Sequence, residues 1–427
     1  MSKQKNRSFL LFILSQGSEA YPTASLILLS PFMAACLQIA GNTMKKIFPF
    51  LLLLTIAGSS CSSASKNIFG NKSPHEKYAE KLDKTDIEET PEGRQWLAAA
   101  ATALANPYTI AVPYKQRGYF QPDKPRALGL QFAAKAGERI SFQLTKDAAA
   151  NFVLYADVYK QNGTTTQHLL SSDTNTGTFY VDIAEAGNYV VRLQPELYRT
   201  GEYSFSITSG PSLAFPVTGT ANIGSFWGAA RDGGKRSHEG IDIFAKKLTP
   251  VVAAEDGYVT GVKEGGIGGK TVWMNVAGKD IYLYYAHLDQ QLVQQGQEVK
   301  RGDVLGLVGN TGNAKHTPAH LHFGVYTSNG PIDPFSFVNR TIKEAASVPD
   351  KKLTAFVKLI KDQKTDDGLL KMNTMLVPLA VTAKGYLVEL PLGGLLTTPF
   401  AAVQVIKEGA KLADAFVTRP GAATKKS

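Results

Sequence analysis

His320-Leu321-His322-Phe323-Gly324-Val325 is the stretch on which the fold of this chain turns. Leu321, Phe323 and Val325 alternate with His320, His322 and Gly324. Side chains on a β-strand point to opposite faces with period two. The apolar set is therefore expected to face a core, with both histidines on the other face. Two imidazoles on one face, about 7 Å apart at Cα, can reach a single small site. Such a pair also occurs on ordinary strand surfaces, so its meaning depends on what else the chain brings to it.

Two further segments supply that context. In His238-Glu239-Gly240-Ile241-Asp242, a straight strand would hold His238 and Asp242 roughly 13 Å apart. That is too far for one metal with bonds of about 2 Å. The backbone must bend between them, and Gly240 permits it. The other segment is Tyr285-Ala286-His287-Leu288. Five of the seven histidines lie between residues 238 and 322. His, Asp and His from separated segments make a mixed nitrogen and oxygen set. Catalytic zinc sites use three such protein ligands and leave a position for water. Zinc acidifies water and polarises a carbonyl, and a neighbouring imidazole can take the water's proton. The folded part has no cysteine, so a closed thiolate zinc site is excluded.

With Ala253-Ala254-Glu255-Asp256-Gly257-Tyr258-Val259 and Gly302-Asp303-Val304-Leu305-Gly306 added, the chain resembles the lysostaphin/LytM family of zinc metallopeptidases. The likeness covers under a third of the chain and rests on the order of all five motifs. It implies that His238, Asp242 and His322 hold Zn2+. It makes His320 the general base, with His287 orienting the water or stabilising the oxyanion. The implied fold is a two-layer antiparallel β structure with a duplicated hybrid motif. The implied reaction is hydrolysis of peptide cross-links in bacterial peptidoglycan, with an activated water as nucleophile. Asn313 to Ala319 is longer than in many members, so Lys315 and His316 either line the groove or sit on an exposed loop. Some members have lost their ligands and activate other cell-wall hydrolases, so a silent or autoinhibited regulator is the alternative. A lipoyl or biotinyl carrier is disfavoured because no suitable lysine tops a hairpin.

Outside residues 211–345, the expected metallopeptidase domain, the readings come from pattern. Met44-Lys45-Lys46, an apolar run from Ile47 to Ile56, then Ala57-Gly58-Ser59-Ser60-Cys61 reads as a secretory signal. A cysteine at that point resembles a lipoprotein signal. It implies a protein exported to the cell envelope and anchored to the membrane through lipidated Cys61. The other cysteine, Cys36, precedes Met44, where translation is expected to begin. Residues 62–107 read as a tether with a helix near His75 to Leu82, followed by a helix from Thr90-Pro91 to about Asn106, and 108–210 as a jelly-roll-like β-sandwich. Residues 346–427 read as a helix from Asp350 to Asp362 and a small SH3-like barrel. His75 and His168 receive no role.

Composition bounds these readings. The 427 residues are 44% hydrophobic and 19% charged, a globular balance long enough for several domains. With 39 Gly, 17 Tyr and 21 Phe the chain suits a mainly β architecture. The net charge of +10 draws it toward anionic polymers. No cluster of Lys and Arg interleaved with aromatics is present, so a nucleic-acid partner is not expected, and peptidoglycan fits better.

Overall fold

The computed structural model describes residues 72–146, 152–174, 177–365, 368–391 and 393–406. The leader and Cys61 therefore lie outside the described residues. Ser73 starts the first helix, α1 (Pro74–Asp83), with a capping box: its hydroxyl accepts from Glu76 N–H while the Glu76 carboxylate accepts from Ser73 N–H. Thr90 caps α2 (Pro91–Ala105) through Gly93 N–H, and a proline opens each helix where no backbone donor is needed. Residues 74–90 do not hang as a tether. Leu82 and Trp96 pack against Tyr155 and Leu197 of the following domain, and the Trp96 indole donates to the Pro195 carbonyl at 2.9 Å.

That domain is a sandwich of eight strands: β1 (Tyr114–Phe120), β2 (Leu128–Ala134), β3 (Glu138–Lys146), β4 (Leu154–Asn162), β5 (Thr165–Ser171), β6 (Thr178–Asp182), β7 (Gly187–Pro195) and β8 (Gly201–Pro211). They pair as β1-β8-β3-β6 and β2-β7-β4-β5, the strand order of a double Greek key. Alternating inward residues such as Leu130, Phe132, Phe142, Val191 and Phe205 fill the space between the sheets with no exposure to solvent.

The central sheet holds β9 (Ala221–Ser225), β10 (Ile241–Ala245), β11 (Gly257–Lys263), β12 (Lys270–Val276), β13 (Tyr282–Leu288), β14 (Glu298–Val299) and β15 (His320–Thr327). Its order is β9-β10-β15-β13-β12-β11-β14, antiparallel throughout. A small second sheet of Pro250–Val252, Val304–Leu307 and Gln290–Gln291 provides the other layer. Leu321, Phe323 and Val325 are fully buried beside Ile241, Ile243, Val272 and Leu283. Each such side chain contributes about 1.5–3 kcal/mol by leaving water. The sandwich packs directly against this domain. Phe337 packs on Gly137, and Lys279 pairs with Asp182 at 2.8 Å.

The C-terminal expectation needs correction. No helix spans 350–362; the segment is irregular up to β16 (Val357–Leu359). Leu353 and Phe356 suggested a helical face, but Leu353, Val357 and Leu359 are instead buried in a β core. With β17 (Met375–Thr382), β18 (Tyr386–Glu389), β19 (Leu395–Thr398) and β20 (Val403–Val405) it forms the order β20-β16-β17-β18-β19. These described strands do not close a barrel of their own. Residues 380–382 of β17 pair with 116–118 of β1, so the C-terminal strands extend a sandwich sheet. Ala380 and Leu387 lie in the sandwich core.

His75 turns out to be structural. It is buried, stacks on Trp96 at 4.6 Å and meets Gln194 Oε1 at 2.6 Å. Burial and the nearby Arg192 push its pKa from 6.5 down to about 4. The unfolded chain therefore binds the proton more readily across that interval. Stability from this group is complete above pH 6.5 and is lost as pH falls toward 4, by at most about 3 kcal/mol. His75→Gln keeps a donor and removes the titration. Urea unfolding at neutral pH and at about pH 4.5 should show a smaller acid loss in the variant than in the native chain; equal losses would contradict this.

Candidate metal and active site

Asp242 on β10 lies directly opposite His322 on β15, and His322 lies opposite Ala286 on β13. This register places Asp242 and His322 side by side on the face away from the core. His238 reaches them from the turn before β10. A Cβ on Gly240 would lie 2.6 Å from the His322 ring and 2.7 Å from the Phe323 carbonyl, so only glycine lets that turn pass. The bend expected between His238 and Asp242 is thus present. His238 Nε2 is 3.0 Å from Asp242 Oδ1 and 2.9 Å from His322 Nδ1, and His322 Nδ1 is 3.1 Å from Asp242 Oδ1. Among the described residues these three form a cluster able to hold a metal ion.

The hydrogen bonds behind the cluster determine which atoms are free. His238 Nδ1–H donates to the Phe226 carbonyl at 2.9 Å, which leaves Nε2 as a bare acceptor. Asp242 Oδ2 accepts from Arg231 at 2.8 Å, so Oδ1 is the oxygen that faces the histidines. Arg231 also donates to Ser225 Oγ at 2.7 Å. Acceptor atoms this close repel unless a proton or cation sits among them. Two nitrogens and one carboxylate oxygen with about 3 Å between corners suit an ion bound at about 2 Å from each, and the mixture of donors is one that zinc accepts. The residues therefore fit the ion that the sequence implied.

Two more imidazoles border the cluster. His320 Nδ1–H donates to the Pro318 carbonyl at 2.8 Å, and its Nε2 lies 3.9 Å from Asp242 Oδ1. His287 Nδ1–H donates to the Thr311 carbonyl at 2.9 Å. Each is left with a bare Nε2. Strict alternation along β13 would send His287 into the core, because Ala286 already faces outward. Instead the strand bulges. Only Thr271 lies between the partners of Tyr285 and Leu288, while Ala286 and His287 both lie between those two residues. His287 takes a φ of +62°, unusual for a residue with a Cβ, and the turn aims its ring into the cleft.

The electrostatics follow from this packing. Burial opposes ionisation of Asp242, but the adjoining His238 and His322 imidazoles, when they carry a proton toward it, hold its carboxyl well below the usual range. Burial lowers His322. Burial, with His320 and His322 nearby, lowers His287 to about 4, so it is neutral near pH 7. The cleft above these groups has a volume of about 860 Å³, and every residue lining it lies between Ser225 and Tyr326. Among the described residues, neither the sandwich nor the C-terminal strands reach it. Lys315 and His316 are exposed and do not line it, unlike their neighbours Ala314 and Thr317. His168 sits in the sandwich, 2.9 Å from Ser171 Oγ.

Arg231 is the site residue that sequence reading missed. It lies in a hairpin of only two paired residues on each side, with no motif around it.

Residues 236–334 match the family model described as Peptidase family M23. The chain is 32% identical to the peptidoglycan DD-endopeptidase ShyA of Vibrio cholerae over 33% of this chain and 30% of that one. It is 36% identical to the L-Ala--D-Glu endopeptidase of Bacillus subtilis over 32% of this chain and 42% of that one. It is also 31% identical to the Lipoprotein NlpD/LppB homolog of Pseudomonas aeruginosa, over 31% and 43% of the two chains. The chain thus spans less than half the length of each of these relatives. The catalytic domain of the antimicrobial peptidase lysostaphin from Staphylococcus simulans is similar at 28% identity, over 27% of this chain and 90% of that one, with a TM-score of 0.25.

Arg231→Ala would release Asp242 Oδ2 and let the carboxylate rotate. Partners that orient a ligand are worth about 10- to 100-fold in metal affinity. Competition with a chromophoric chelator should show a loss of that size, with partial recovery in Arg231→Lys. Unchanged affinity in Arg231→Ala would mean that the clamp does not position Asp242.

Proposed function

We propose that this protein is a zinc-dependent endopeptidase that hydrolyses peptide cross-links of bacterial peptidoglycan. The observation that carries the reading is the convergence of His238 Nε2, Asp242 Oδ1 and His322 Nδ1 beside two imidazoles with bare Nε2 atoms, at the floor of an open cleft. His238, Asp242 and His322 would hold the ion. Zinc bound there would supply Lewis acidity toward the scissile carbonyl and an acidified water.

The chain's own residues do the rest. His320 Nε2 accepts the proton of the attacking water as the new C–O bond forms, then returns it to the leaving amine as the C–N bond breaks. His287 is neutral and its N–H is held by Thr311, so it serves as an acceptor that orients the water. Stabilising an oxyanion would need a donor there, and this tautomer has none facing the cleft. Arg231 keeps Asp242 in place. Export and membrane attachment through Cys61 remain part of the proposal, in keeping with relatives described as lipoproteins.

A second reading has a specific observation behind it. One relative is the murein hydrolase activator NlpD of Salmonella dublin, 31% identical over 32% of this chain. An activator needs no catalytic donors, whereas here the three donor atoms and both accessory imidazoles are in place. That favours the enzyme.

Metal content and turnover separate the roles. His320→Ala should keep the ion and lose about 10²- to 10⁴-fold in turnover. His322→Ala should lose both. A full complement of metal in purified His322→Ala would contradict the ligand set.

A further inference from the structure

The face of the central sheet that carries the metal cluster does not end there. It continues across β13, β12 and β15 as an aromatic floor. Trp273 is the cross-strand partner of Tyr284, with ring centroids 4.4 Å apart, and Tyr326 lies 4.9 Å from Trp273. Tyr284 in turn contacts His322 at 5.8 Å, so the floor joins the cluster directly. Tyr282 pairs with Tyr326 and Asn275, and Tyr258 pairs with Asn275 on the next strand. Tyr282 and Tyr258 are 37% and 50% exposed. The neighbours Val272, Met274, Leu283 and Val325 occupy the core face, so these rings take the opposite one.

Nothing in the hydrolytic chemistry requires this surface. The peptides cut by the Bacillus subtilis relative contain Ala and Glu, by its name. A methyl group covers little of an aromatic ring, and a carboxylate is repelled by the negative face of the π system. Rigid faces rich in C–H groups suit it better. Pyranose rings have such faces, with hydroxyls at the edge that Asn275 and the tyrosine hydroxyls can meet. The rings are tilted by 33° and 56° to Trp273, so they offer a shallow, faceted platform rather than a slot for a flat ligand.

We infer that this floor is a subsite for the N-acetylhexosamine rings of a glycan strand, centred on Trp273, two ring contacts from His322. The inference rests on the peptidoglycan reading above. It makes the protein a reader of glycan-bearing peptide rather than of free peptide.

The test uses the full chain, its Trp273→Ala and Tyr326→Ala variants, and a peptide-free tetramer of N-acetylglucosamine as probe. Calorimetry should show binding to the native chain that weakens about tenfold or more in each variant, while metal content stays unchanged as the check on folding. In parallel, Trp273→Ala should lose about tenfold in cleavage of intact peptidoglycan but not of a cross-linked peptide dimer stripped of sugar. Two results would overturn the proposal. One is tetramer binding that is absent from the native chain or undiminished in both variants. The other is an equal loss on both substrates, which would make the floor a peptide subsite. If the native chain cleaves neither substrate, the endopeptidase reading fails, and tetramer binding alone decides the floor.

Discussion

The register of three antiparallel strands is the constraint on which the site depends. Asp242, His322 and Ala286 lie in one row across β10, β15 and β13. A slip of one residue would turn Asp242 and His322 inward and expose Ile243 and Leu321. Burial of Ile241, Ile243, Leu321, Phe323 and Leu283 prevents that slip. Apolar packing on one face thereby sets polar chemistry on the other. Placing a carboxylate and several imidazoles in a poorly hydrated spot is costly unless each has a partner. The carbonyls of Phe226, Thr311 and Pro318 each hold one Nδ1–H, and Arg231 holds the spare oxygen of Asp242. These contacts leave Nε2 of His238, His287 and His320 and Oδ1 of Asp242 free toward the cleft.

Much of this was legible in the sequence where one short periodic segment carries the information. The alternation around His320 and His322 gave a strand with two outward imidazoles, and Gly240 announced a bend. The segment holding His287 stood out in the sequence, but its role came only through family resemblance, because alternation alone sends the side chain into the core. The bulge that rescues it depends on pairing with Lys270–Val272, which no local pattern reveals. Arg231 was invisible for a similar reason: its partner is eleven residues away and the hairpin between them is too short to have periodicity. At the C-terminus, Leu353, Phe356, Val357 and Ile360 mimic a helical face, yet strands of three residues carry almost no period of their own. The pairing of β17 with β1 joins residues more than 260 positions apart and turns an expected free barrel into an extension of the sandwich.

Among the described residues, the accessory parts contribute nothing to the lining of the cleft. Its lining is drawn wholly from residues 225–326, while the sandwich meets the central domain through Phe337 and the Lys279–Asp182 pair. Within the described residues His238, Asp242, His287, His320 and His322 all line the cleft. The helices before the sandwich are docked through Trp96 and Leu82.

The most direct test of the central claim is digestion of purified peptidoglycan by the full chain, with and without a zinc chelator, followed by mass spectrometry of the released fragments. The account predicts loss of cross-linked dimers that the chelator abolishes and added zinc restores, and the fragment masses would identify the bond. Cross-links that remain intact under zinc-replete conditions, with the metal bound and the cleft accessible, would contradict it and favour the activator reading.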